Sequence, residues 1–193
     1  MMVDLDGLIF TQEQAMTPNL ARTLRAIYET SFPPSQREPF SGVLSDVVAG
    51  VRDLVIAWRD GEAVGLAESL DLAALKACYL EYMAVAPELR GQGIGGRLLE
   101  HLVARLKEEG RAEGMVLEVE SVRHGPPAEA GTRQRRLDFY RRRGAHVVEC
   151  APDYRGPNLA GPGEVYFTIM WIPLTGREGA APSGERLRAL VRA

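Results

Sequence analysis

Apolar side chains at Ile94, Leu98, Leu99, Leu102, Val103 and Leu106 repeat at the three- and four-residue spacing of a single helix face. They predict an amphipathic helix over 94–107, stopped by Gly110. Thr17-Pro18 places an N-cap residue before a proline at the first helical position, which predicts a helix from there to Glu29. Ser31-Phe32-Pro33-Pro34 ends it. Further helices are expected over 41–49 and over 132–143, the latter capped by Gly144. The runs 3–10, 53–59, 63–69, 78–85, 115–120, 145–150 and 165–172 read as strands. Asp60-Gly61, between the second and third of these, is a hairpin signal. Residues 121–131 and 152–163 are rich in proline and glycine and read as loops. The stretch 176–184 reads as flexible, and 185–191 as a terminal helix.

The resulting order, β-α-α-β-β-β-α-β-α-β-β, makes an α/β chain. With 193 residues, 46% of them hydrophobic, the chain is long enough for one packed domain plus a terminal extension. The net charge of −3 gives no global attraction to nucleic acid or to an anionic membrane. Arg133, Arg135, Arg136, Arg141, Arg142 and Arg143 make the helix at 132–143 strongly basic. A solvated face balanced by carboxylates accounts for them better than a nucleic-acid surface does.

Cys78 and Cys150 stand far apart, with no C-x-x-C, and read as buried thiols in a reducing compartment. His101, His124 and His146 lack ligand spacing, so no metal site is expected. No apolar run approaches the roughly 20 residues that span a bilayer. The acidic start, Met1 to Asp6, lacks the basic region of a signal peptide. A cytoplasmic protein is therefore expected. Val3-Asp4-Leu5-Asp6-Gly7 is similar to the first motif of haloacid-dehalogenase phosphatases, but neither lysine of the chain, Lys76 or Lys107, stands where that chemistry needs one.

The chemistry-bearing stretch is Arg90-Gly91-Gln92-Gly93-Ile94-Gly95-Gly96, set between a strand and a helix. A glycine-rich turn that enters a helix exposes the free N–H groups of its first turn and favours a phosphate. Gly91, Gly93 and Gly96 satisfy the dinucleotide pattern G-x-G-x-x-G, with Glu118 about 20 residues on. Five residues, Ala86 to Arg90, nonetheless separate the strand end from the first glycine, and too little chain follows for further βα units. Arg90, Gly93 and Gly95 also fit [Q/R]-x-x-G-x-[G/A].

The whole block Tyr79 to Gly95 resembles the strand, turn and loop of the GNAT superfamily of N-acetyltransferases. That resemblance covers about 3–174 and leaves 175–193 as a C-terminal extension. It implies a mostly antiparallel mixed sheet flanked by helices, with the fourth and fifth strands parallel and splayed. It implies acetyl-CoA as acyl donor, held by the backbone of Gly91, Gln92, Gly93, Ile94, Gly95 and Gly96 with charge from Arg90 or Arg97. The main chain of Met83 and Val85 would pair with the pantetheine arm. Three residues carry the catalytic expectations. Tyr140, in Leu137 to Ala145, matches the family tyrosine that protonates the thiolate. Glu118, in Val116 to Glu120, is the favoured base, with Glu81 as the other candidate. Glu120 shares a strand face with Glu118.

The family asparagine before this helix is missing, and an insertion, Arg123 to Arg133, stands there instead. Residues 32–38 and 153–158 would line the acceptor site. The partner is then an amine of a small molecule or peptide, a homodimer is compatible, and the non-catalytic alternative is an acyl-CoA-binding sensor on the same fold.

Overall fold

The computed structural model describes residues 7–149, 151 and 154–176. Its strands are β1 (Leu8–Gln12), β2 (Arg52–Arg59), β3 (Glu62–Leu72), β4 (Ala77–Val85), β5 (Gly114–Glu120), β6 (His146–Val147), β7 (Arg155–Pro157) and β8 (Glu164–Pro173). Its helices are α1 (Pro18–Ser31), α2 (Phe40–Val48), α3 (Ile94–Glu109) and α4 (Ala130–Arg141). The chain divides into two compact units, residues 1–71 with 80–105, and residues 72–79 with 106–193.

In the first unit the strands run in the order β1, β2, β3, β4. β1 pairs antiparallel with β2, and β2 antiparallel with β3. Asp60 and Gly61 turn the β2–β3 hairpin with φ of 53° and 80°, the left-handed pair of a type I′ turn. Thr17 caps α1 by accepting from the Leu20 N–H at 3.2 Å. Leu24, Ile27 and Tyr28 then fall on one buried face, where they meet Val43 and Val47 of α2 and Leu54, Ile56, Leu66 and Tyr82 of the sheet. On α3, Ile94, Leu98, Leu99 and Leu102 are buried as the helical spacing predicts, and His101 stacks on Phe10.

In the second unit β5 pairs antiparallel with β8, and β8 also takes β6 and β7, both antiparallel. Ala77, Val116, Val148, Ile169 and Trp171 form its core. Gly114 begins β5 because the Trp171 indole lies against it: a Cβ there would stand 2.0 Å from the ring.

The α/β class and the mostly antiparallel pairing agree with the sequence reading, and the boundaries differ in places. β6 is two residues, not six, and the loop expected over 152–163 contains the short strand β7. The latter forms because Gly156 lets the backbone approach Phe167 closely. α4 starts two residues earlier than expected and stops at Arg141. The expected first strand begins at Leu8. The phosphatase-like aspartates, Cys150 and the terminal helix over 185–191 lie outside the described residues.

Candidate active site

The glycine turn belongs to the first unit. A 3-10 turn over Pro87–Leu89 leads to Arg90, and α3 starts at Ile94. Gly91 and Gly93 adopt φ of 81° and 83°, a region closed to most side chains, while a Cβ at either would touch nothing within 4 Å. Backbone geometry, not crowding, therefore demands glycine here. The Arg97 N–H closes the first helical bond on the Gly93 carbonyl at 3.2 Å, which leaves the N–H groups of Ile94, Gly95 and Gly96 without intrahelical acceptors. Gly91, Gln92 and Gly93 are exposed. Free N–H groups at a helix N-terminus beside an exposed turn are an arrangement able to hold an anion.

Arg90 folds back onto the strand end. Its Nε donates to the Val85 carbonyl at 3.1 Å and its Nη2 to Ser31 Oγ at 2.8 Å. Met83 and Val85 are half-buried on β4. Arg97 is half-buried on the first turn of α3.

Glu81, also on β4, is drawn into a cluster that its own sequence neighbourhood does not announce. Arg52 Nη1 donates to its carboxylate at 2.5 Å and lies 3.6 Å from Glu68. The same guanidinium reaches Glu38 and Asp46, each at 3.0 Å. Burial pushes the Glu81 carboxyl up, with Arg52 opposing and Glu38 adding to the rise. Glu38 is further fixed by two phenols: its N–H donates to the Tyr82 hydroxyl and its carbonyl accepts from Tyr28, both at 3.1 Å. Burial pushes Tyr82 up to about 12. Segment 32–38 is thus tied to the sheet, with Phe32 packed edge-on to Tyr82.

In the second unit Glu118 is half-buried on β5, opposite Ile169. Burial first and the Glu118 carboxylate second raise the pKa of the Tyr154 phenol. Glu120, two residues on, is paired with Arg136. Tyr140 packs edge-on to Phe139, and burial pushes its phenol up to about 12 while Arg136 opposes the rise. It therefore stays protonated through neutral pH and is able to donate.

Arg133 departs from the solvated face expected of α4. It is buried and pins the insertion, its Nη2 donating to the Pro126 carbonyl at 2.9 Å. His124 of the insertion stacks on Tyr166, centroids 4.0 Å apart. Elsewhere in that stretch Arg135 donates to Thr132, Arg141 pairs with Asp138 and Arg143 lies over the Phe139 ring. Among the described residues no His, Cys, Asp and Glu group is placed to hold a metal, and no helix is long and apolar enough to cross a membrane.

Sequence reasoning missed Arg52 and Glu68, and named Glu38 only as part of the segment 32–38. One signal was present: Glu68 directly follows the apolar run Ala63 to Ala67, and a carboxylate carried into the interior there requires a partner.

Comparison with known proteins accords with this geometry. Residues 21–125 match the model of the acetyltransferase (GNAT) family, a span that includes Glu81, the glycine turn and Glu118 and ends before Tyr140. No curated protein sequence matches. Among solved structures, a GNAT-family acetyltransferase from Bacteroides thetaiotaomicron is 24% identical, with 94% of each chain covered and a TM-score of 0.71. An aminoglycoside 6′-N-acetyltransferase complexed with coenzyme A is 17% identical over 89% of this chain and 99% of that one, with a TM-score of 0.67. The ribosomal-protein-S18-alanine N-acetyltransferase from Escherichia coli is 19% identical over 92% and 97%, with a TM-score of 0.60. At these identities the structures speak for the fold, and the family model speaks for the rest: the chain is an acetyltransferase of the GNAT family.

Proposed function

We propose that the protein transfers an acetyl group from acetyl-CoA to a primary amine of a small molecule or peptide, by direct attack within a ternary complex. The observation that carries the reading is the cradle at Gly91 to Gly96, whose two left-handed glycines and free N–H groups suit the donor's pyrophosphate. The glutamate Glu118 removes a proton from the acceptor ammonium, leaving a neutral amine. The amine attacks the thioester carbonyl, the C–N bond forms and the C–S bond breaks. Tyr140 supplies the proton that leaves CoA as a thiol, and the second proton, lost by the attacking nitrogen as it becomes the amide, returns the tyrosine to its phenol form by way of solvent. Glu118 is preferred to Glu81 as base because the Glu81 carboxylate is committed to Arg52.

The acceptor class is read from chemistry alone: a carboxylate base such as Glu118 suits a cationic amine. The aminoglycoside and ribosomal-protein enzymes of the same fold act on such groups. Calorimetric titration with acetyl-CoA, beside a Gly93→Glu variant and NAD, tests the donor. Micromolar binding lost in the variant is the expected result, and an amine screen reading free CoA thiol then identifies the acceptor. NAD binding in place of acetyl-CoA would overturn the reading, and donor binding with no thiol release from any amine would leave a sensor.

A further inference from the structure

We propose that Arg59, at the end of β2, is a further binding residue for the donor's pyrophosphate, delivered to the glycine turn through Gln92. The inference rests on the reading of that turn as the acyl-CoA site.

Arg59 Nη1 donates to Gln92 Oε1 at 2.8 Å. Gln92 sits between the two left-handed glycines, so this hydrogen bond fastens a guanidinium from one element to the centre of a loop from another. The anchor is firm. Arg59 is the last strand residue before the Asp60-Gly61 turn, and its backbone pairs with Leu8 on one side and Glu62 on the other.

The charge balance points the same way. Three arginines of this unit meet carboxylates: Arg25 pairs with Glu29, Arg105 with Asp53, and Arg52 with four acids, while Arg22 and Arg37 bind neutral oxygens close by in sequence. Arg59 and Arg90 are bound only to neutral acceptors, namely Gln92 Oε1, the Val85 carbonyl and Ser31 Oγ. Among the described residues neither has a carboxylate within ion-pair distance. Two uncompensated positive charges therefore flank Gly91 to Gly93, and a dianionic pyrophosphate is the ligand that matches them. A guanidinium keeps several N–H donors free after one bond to an amide oxygen, in a planar fork suited to phosphate oxygens. Nothing in the motif itself points to Arg59, which lies some 30 residues upstream of the loop.

Calorimetry with CoA and with dephospho-CoA, on wild type, Arg59→Gln and Arg59→Lys, tests the assignment. The expected result is an approximately tenfold loss of affinity in Arg59→Gln for both ligands, a smaller loss in Arg59→Lys, and an unchanged thermal midpoint of the ligand-free proteins. Unchanged affinity in Arg59→Gln overturns the proposal. So does a loss seen with CoA but not with dephospho-CoA, because Arg59 would then read the 3′-phosphate. If Arg59→Gln unfolds, Arg59→Lys decides by the same criterion. Failure of the wild type to bind either ligand instead removes the donor reading beneath it.

Discussion

Arg52 and Glu68 sit diagonally on one face of the β2–β3 pair, with Arg52 Nη1 3.6 Å from a carboxyl that has no exposed surface. Neither Glu68 oxygen has a hydrogen-bond donor in place. Burial first and Glu81 second push this carboxyl up to about 9, with Arg52 opposing. A carboxyl raised in the fold stabilises it in the protonated form. That stability is fully present below the ordinary value of 4.5 and is lost as pH climbs toward 9. The thermal midpoint of the wild type should fall across this window. Glu68→Gln, a neutral isostere, should flatten the fall in part, since Glu81 is raised as well. Equal slopes in the two proteins would show that Glu68 does not titrate there.

Tyr140→Phe should cut turnover by roughly a hundredfold while leaving acetyl-CoA affinity unchanged, since it removes a proton donor and little contact area. With the phenol pushed up to about 12, loss of this acid does not limit the rate of the wild type below that pH. Stopped turnover with an intact Kd is the signature; wild-type turnover in the variant would remove Tyr140 from the reaction.

Glu118→Gln should be slowest relative to wild type at pH values well below the acceptor amine's pKa, where nearly every acceptor arrives as ammonium. Its rate should recover as pH approaches that pKa and free amine accumulates. A pH profile of kcat/KM with parallel curves for the two proteins would exclude a base at this position.

Gly114→Ala should destabilise the second unit by about 1–3 kcal/mol or more, since its Cβ would stand 2.0 Å from the Trp171 ring. Urea unfolding measures this. Trp171→Leu in the same background should recover part of the loss, because the ring is what the methyl group strikes.

Local features could be read from the sequence. The stripe from Ile94 to Leu106, the Thr17 cap and the Asp60-Gly61 turn are each specified by residues within one or two helical turns, and all three stand in the structure. The glycine turn was legible for the same reason. Partnerships across long separations were not. Arg52 meets Glu81 across 29 positions, and only strand register brings them together. Arg133 looked like one more member of a basic run, yet the insertion wraps it, and its burial depends on a carbonyl seven residues earlier. β7 escaped because three residues around a glycine carry no periodicity, and its pairing comes from β8.

The empty space around Gly91 and Gly93 has a consequence for evolvability. Folding there penalises handedness, not volume, so asparagine, which tolerates the left-handed region, is a smaller mutational step than the slimmer alanine. Donor binding as proposed ranks the same substitutions by another criterion, since a side chain there would compete with the phosphates for the space beside the turn. Drift under selection for stability alone would thus first fill these two positions with asparagine, and the earliest trace of a lineage abandoning acetyl transfer would be a well-folded protein with a blocked cradle.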